Sequence, residues 1–66
     1  MNAKKLQSLM DRAWQLAVEK AADEYDIHPN DDDDYSNSDH QVVNDIQSKI
    51  FQELGGDLDE YSEKCY

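Results

Sequence analysis

The sequence predicts an all-α fold, a small three-helix domain in which two substantial helices are joined by an acidic loop and followed by a short C-terminal helix. Three observations carry this expectation. The first 28 residues contain neither Gly nor Pro and repeat their apolar residues at three- and four-residue steps. A second apolar stripe from Val42 to Leu54 ends directly at Gly55-Gly56. A third short segment, from Leu58 to about Lys64, follows an Asp that can cap it.

The first helix is expected from about Asn2 to Glu24. It is rich in Ala, Leu, Lys, Gln and Glu, which lose little side-chain freedom in a helix. Leu6, Leu9, Met10, Ala13, Leu16 and Ala17 fall on one face, with Trp14 and Ala21 at its edge and Lys5, Arg12, Glu19 and Asp23 on the other side. The helix should fray near Tyr25, and Pro29 bars its continuation by biasing His28 away from helical angles. Residues 26–37 then read as an exposed acidic linker, because four consecutive aspartates repel one another and favour extended backbone. Ser38 and Gln41 have the spacing of a capping box, which would start the second helix. Val42, Val43, Ile46, Ile50, Phe51 and Leu54 form its buried stripe, and Asp45 and Lys49 are placed for an i,i+4 ion pair. Asp57 and Glu60 repeat a cap-type spacing before the third helix, in which Leu58, Tyr61 and Cys65 can face inward. The whole of residues 1–66 is therefore expected to be a single small helical domain.

Composition narrows the function. Sixteen acidic residues against six basic ones give the 66-residue chain a formal charge of -10. The imbalance is local: residues 1–20 carry a net +2 and residues 21–66 a net -12. Such a chain is repelled by nucleic acid and by anionic membranes, so direct binding to either is not expected. No apolar run approaches the roughly 20 residues of a membrane span, and the first ten residues lack the apolar core of a secretory signal. A soluble cytoplasmic protein is expected. One cysteine builds no internal disulfide framework.

No constellation for catalysis is visible. There is no nucleophile–base pairing, Gly-rich phosphate loop or zinc-hydrolase helix motif, and a chain of this size has little material for a cleft that would raise a carboxyl pKa. The aspartate run does not fit a calcium loop. Counted from Asp32, Asn37 stands where Gly is required and Val43 where the bidentate acid belongs; counted from Asp34, Asp39 occupies the Gly position. His28, His40 and Cys65 lack the paired spacing of a zinc site. No cofactor, metal or enzymatic activity is expected.

What remains is the acidic surface. In extended backbone, alternate aspartates lie about 6.6 Å apart, close to the separation of successive phosphates along a nucleic-acid strand. Asp31, Asp32, Asp33 and Asp34 are the first group able to present such a row, and Asp57, Asp59, Glu60 and Glu63 the second, with Asp39, Asp45 and Glu53 between them. Tyr35, Tyr61 and Tyr66 stand among these acids as less charged anchors. The expected partner is the basic groove of a nucleic-acid-binding protein, met through charge-assisted Arg and Lys contacts. In size and charge, residues 21–66 resemble the small acidic inhibitors that bacteriophages direct at host nucleic-acid enzymes: DNA mimics, anti-restriction proteins and anti-CRISPR proteins. That resemblance implies inhibition of a nuclease, polymerase, nucleoid protein or CRISPR effector, and it transfers no individual residue role. The alternative is a helical adaptor or homodimeric module using the apolar face of helix 1, with Leu6, Met10 and Trp14 as the interface.

Overall fold

A computed structural model describes residues 2–32 and 34–65 and contains three helices, with no strand among the described residues. Helix α1 spans Ala3–Glu24, α2 Asn37–Glu53 and α3 Leu58–Cys65. The Asn2 side chain accepts from the Lys5 N–H at 2.8 Å, which fixes the start of α1. At its other end the Ala21 carbonyl accepts from both Tyr25 and Ile27, while Asp26 takes a left-handed φ of 54°. Asp is among the few non-glycine residues that tolerate this conformation. The helix therefore stops before Pro29 acts on it.

Helix α2 returns antiparallel along α1. The pairing is read from residues that meet across it: Leu6 with Phe51, Met10 with Gln47, Trp14 with His40. Three of the four fully buried α1 residues are alanines, Ala13, Ala17 and Ala21, so the α2 side chains lie close on the α1 backbone. Two apolar clusters result. Ala17, Ala21, Val43 and Ile46 form one, closed by Trp14, Val18, Ile27, Tyr35, Val42 and Ile50. Leu6, Ala13 and Phe51 form the other, covered by Leu9, Met10, Leu58, Tyr61 and Cys65. Helix α3 lies over this second cluster, and Cys65 Sγ reaches the Ala3 carbonyl at 3.5 Å.

The junction after α2 is a Schellman turn. The Gly55 N–H donates to the Gln52 carbonyl and the Gly56 N–H to the Phe51 carbonyl, with Gly55 at φ 96°. Asp57 then caps α3: its Oδ1 accepts from the N–H of Asp59 at 2.9 Å and of Glu60 at 3.3 Å. Asp57→Ala should cost about 1 kcal/mol, read as a lower melting midpoint in far-UV circular dichroism. Asp57→Asn, which keeps the acceptor, should restore most of it.

Four local expectations are corrected. Helix α2 begins at Asn37, so the linker is one residue shorter, and its cap position is Ser36 rather than Ser38. Ser38 lies inside the first turn, so the box with Gln41 does not form, and Ser36 makes no side-chain cap bond either. The ion pairs among the described residues are Lys20–Glu24, Lys64–Glu60 and His28–Asp26; Asp45 and Lys49 do not join them. Leu54, expected in the buried stripe, is 37% exposed, because it is the residue at which the chain turns away.

Candidate partner-binding surface

The antiparallel pairing puts the linker and α3 at opposite ends of a body measuring 34 × 20 × 16 Å. The two acidic groups are thus separated by the length of α2, whose 17 residues span about 25 Å.

At the linker end, the chain is not an extended row of carboxylates. The Asn30 N–H donates to the Asp34 carbonyl at 2.7 Å, which draws these two residues together into a turn. Asp34 Oδ1 accepts from the Tyr35 N–H at 3.1 Å. The regular 6.6 Å spacing of about two extended residues therefore does not apply here. Asp31, Asp32 and Asp34 are all exposed, while Asp33 lies outside the described residues. Both ends of the linker are held by the core, since Ile27 and Tyr35 pack on the Ala17/Ala21/Val43/Ile46 cluster. Tyr35 meets Trp14 edge-on, ring centroids 6.1 Å apart at 85°, and its hydroxyl is buried. Its ring therefore supports the turn from below rather than standing among the acids as an exposed anchor. Trp14 also meets the His40 ring at 5.8 Å.

At the α3 end, the acids divide by task. Asp57 gives one oxygen to the helix cap, and Glu60 pairs with Lys64 at 3.2 Å. Asp59 and Glu63, one turn apart, are exposed and make no ion pair among the described residues. Tyr61 is half-buried, its ring 5.7 Å from Phe51 at 68°, so it serves the second core cluster with one face. An open depression lined by Gln52, Gly56, Asp57, Leu58 and Asp59 lies beside it. Between the ends, Asp39 is half-buried in the first turn of α2, where the helix dipole favours a negative charge, and Asp45 and Glu53 are exposed. Tyr66 lies outside the described residues.

The helix-1 residues of the alternative interface fall largely inward. Leu6 is fully buried against Phe51, and Met10 and Trp14 are half-buried against α2. Met10 is held further by its carbonyl, which accepts from Gln47 Nε2 at 3.1 Å. The histidines and the cysteine are dispersed: His28 Nε2 is 3.1 Å from Asp26 Oδ1, His40 lies on Trp14, and Cys65 lies at Ala3. Among the described residues no three metal-ligating side chains converge.

Sequence reasoning did not find the closed linker turn, the contact of His40 with Trp14 or the left-handed Asp26. The Asp26 position carried one usable signal, an Asp just past the last helical turn. The His40–Trp14 contact joins residues distant in the chain, and the Asn30–Asp34 bond is local but carries no Asn-Gly or Asp-Gly signature.

What fold and surface define is a small acidic three-helix protein with carboxylates gathered at both ends and an apolar seam between its two long helices. No helix among the described residues is long and apolar enough to cross a membrane. No family model, curated protein or solved structure matches the chain.

Proposed function

We propose that this protein inhibits a nucleic-acid-binding protein by occupying its basic groove. The observation that carries this reading is the placement of uncompensated charge. Asp31, Asp32 and Asp34 at one end and Asp59 and Glu63 at the other have no ion-pair partner among the described residues. The two groups lie about 25 Å apart along α2, within the roughly 34 Å of one turn of a DNA duplex. A groove shaped for a duplex places Arg and Lys side chains over that length, and these carboxylates meet them as phosphates would. The competition is electrostatic and steric, with no bond made or broken. Nucleases, polymerases, nucleoid proteins and CRISPR effectors offer such grooves, and phage-made acidic inhibitors are the kind of protein that enters them.

The test begins with affinity capture of partners from a host lysate, followed by elution with salt or with competing DNA or RNA. A retained protein released by nucleic acid supports the reading; one held in high salt and indifferent to nucleic acid overturns it. With that protein in hand, Asp32→Lys combined with Asp34→Lys should slow association about tenfold at low salt and flatten its salt dependence. Both residues are exposed, so helix content should not change. An unchanged association rate would remove the linker turn from the contact.

A further inference from the structure

One row of α1 lies outside the buried face and outside the acidic surface, and of its residues Leu9 alone packs in part on a core cluster. Lys5, Leu9, Arg12, Leu16, Glu19 and Asp23 follow one another at steps of four, three, four, three and four residues. That is the spacing of a helix–helix seam, in which alternate positions three and four apart face a partner helix. The row is turned about a third of a circle from the buried face, on the basis of 3.6 residues per turn. Its occupants are available. Lys5, Arg12, Glu19 and Asp23 are all exposed and form no ion pair among the described residues, whereas neighbouring Lys20 is held by Glu24. Leu16 is half-buried yet belongs to neither core cluster, and Leu9 is only partly covered by the second one.

The charges on this row are ordered. Its first half is basic and its second half acidic, and together they cancel, in a chain whose net charge is -10. A row that is positive at one end and negative at the other is complementary to its own reverse. We propose that a second copy of this chain docks antiparallel along it, forming a two-fold symmetric dimer. In that register Lys5 meets the second copy's Asp23, Leu9 faces its Glu19, and Arg12 faces its Leu16 and reaches Glu19 about one turn further along. Leu9 and Leu16 of both copies fill the space between. The ion pairs recur on both sides of the axis, as an isologous interface requires. A parallel arrangement would set Lys5 on Lys5 and Asp23 on Asp23, so the charge order selects the antiparallel one. The seam covers about 27 Å of helix, along the long axis of the body. This is a different face from that of Leu6, Met10 and Trp14, and it stands or falls independently of the inhibitor reading.

Sedimentation equilibrium of the full chain from micromolar to millimolar concentration tests the proposal. The average mass should rise from 7.7 kDa toward twice that value. Lys5→Glu with Arg12→Glu should hold it at one chain, and so should Glu19→Lys with Asp23→Lys. Combining all four reversals restores self-complementarity and should restore the dimer. A wild-type mass that stays at one chain at millimolar concentration overturns the proposal without reference to any variant. So does a dimer that either double variant forms as well as the wild type.

Discussion

Phe51→Ala should leave this chain without a cooperative thermal transition. Phe51 is fully buried and is the side chain on which all three helices converge. It packs with Leu6 and Ala13 of α1, stacks edge-on with Tyr61 of α3, and lies under the turn at Gly56. Truncating a buried Phe to Ala typically costs 3–5 kcal/mol, roughly what a single core in a domain below about 70 residues supplies in total. Far-UV circular dichroism on heating should show a shallow, non-sigmoidal loss of signal in place of the wild-type melt. Leu54→Ala is the control: it truncates an apolar side chain three residues further on, at a position 37% exposed, and should lower the midpoint only slightly. A sharp melt in Phe51→Ala would mean that the α1–α2 pairing sustains the fold without the second cluster.

The two adjacent glycines after α2 should respond differently to alanine. A Cβ placed on Gly56 would stand 2.5 Å from Phe51 Cζ and 2.6 Å from Cε1 and Cε2. No such contact can persist, so either the ring leaves its buried position or the turn opens. Overpacking of this kind costs about 1–3 kcal/mol. At Gly55 a Cβ meets nothing within 4 Å, and the obstacle is only its left-handed φ of 96°. Gly55→Ala should therefore cost about 1–2 kcal/mol, and Gly55→Asn less, since Asn visits that region more readily. The mechanism at Gly56 is separable by a double-mutant cycle in urea. Phe51→Leu frees space at the ring edge, so the penalty of Gly56→Ala should shrink in that background, while the penalty of Gly55→Ala should not. Equal penalties in both backgrounds would show that the Gly56 clash is not with the ring.

The parts of this fold legible in the sequence are those decided by residues within a turn or two of one another. Asn2 before α1, Gly55-Gly56 after α2 and Asp57 before α3 each act on backbone groups two to five residues away, and each sits where its local chemistry places it. The start of α2, read from Ser38 and Gln41, was misplaced: the helix begins at Asn37 with Ser36 at the cap position. Ser36 makes no side-chain cap bond, so the capping chemistry that the Ser38–Gln41 spacing suggested is not what begins this helix. The ion pair expected between Asp45 and Lys49 was an inference from spacing alone, and exposed pairs of that kind carry little energy to enforce them. The acidic surface was legible as charge but not as shape. Four aspartates in sequence imply extension, yet the Asn30–Asp34 backbone bond and the docking of Ile27 and Tyr35 fold the segment over. The bond is local but follows no standard turn signature, and the docking of Tyr35 on Trp14 joins residues more than ten positions apart.

The position of Trp14 has an optical consequence. It is the chain's single tryptophan, and it touches Tyr35 directly beneath the acidic turn while lying far along α1 from the α3 end. Its fluorescence is therefore an intrinsic, label-free probe of one pole of the molecule. A partner that seizes the turn and shifts Tyr35 changes the surroundings of the indole and so its emission, whereas one that grips only Asp59 and Glu63 leaves the spectrum as it was. Titration at a single wavelength then distinguishes which pole is engaged.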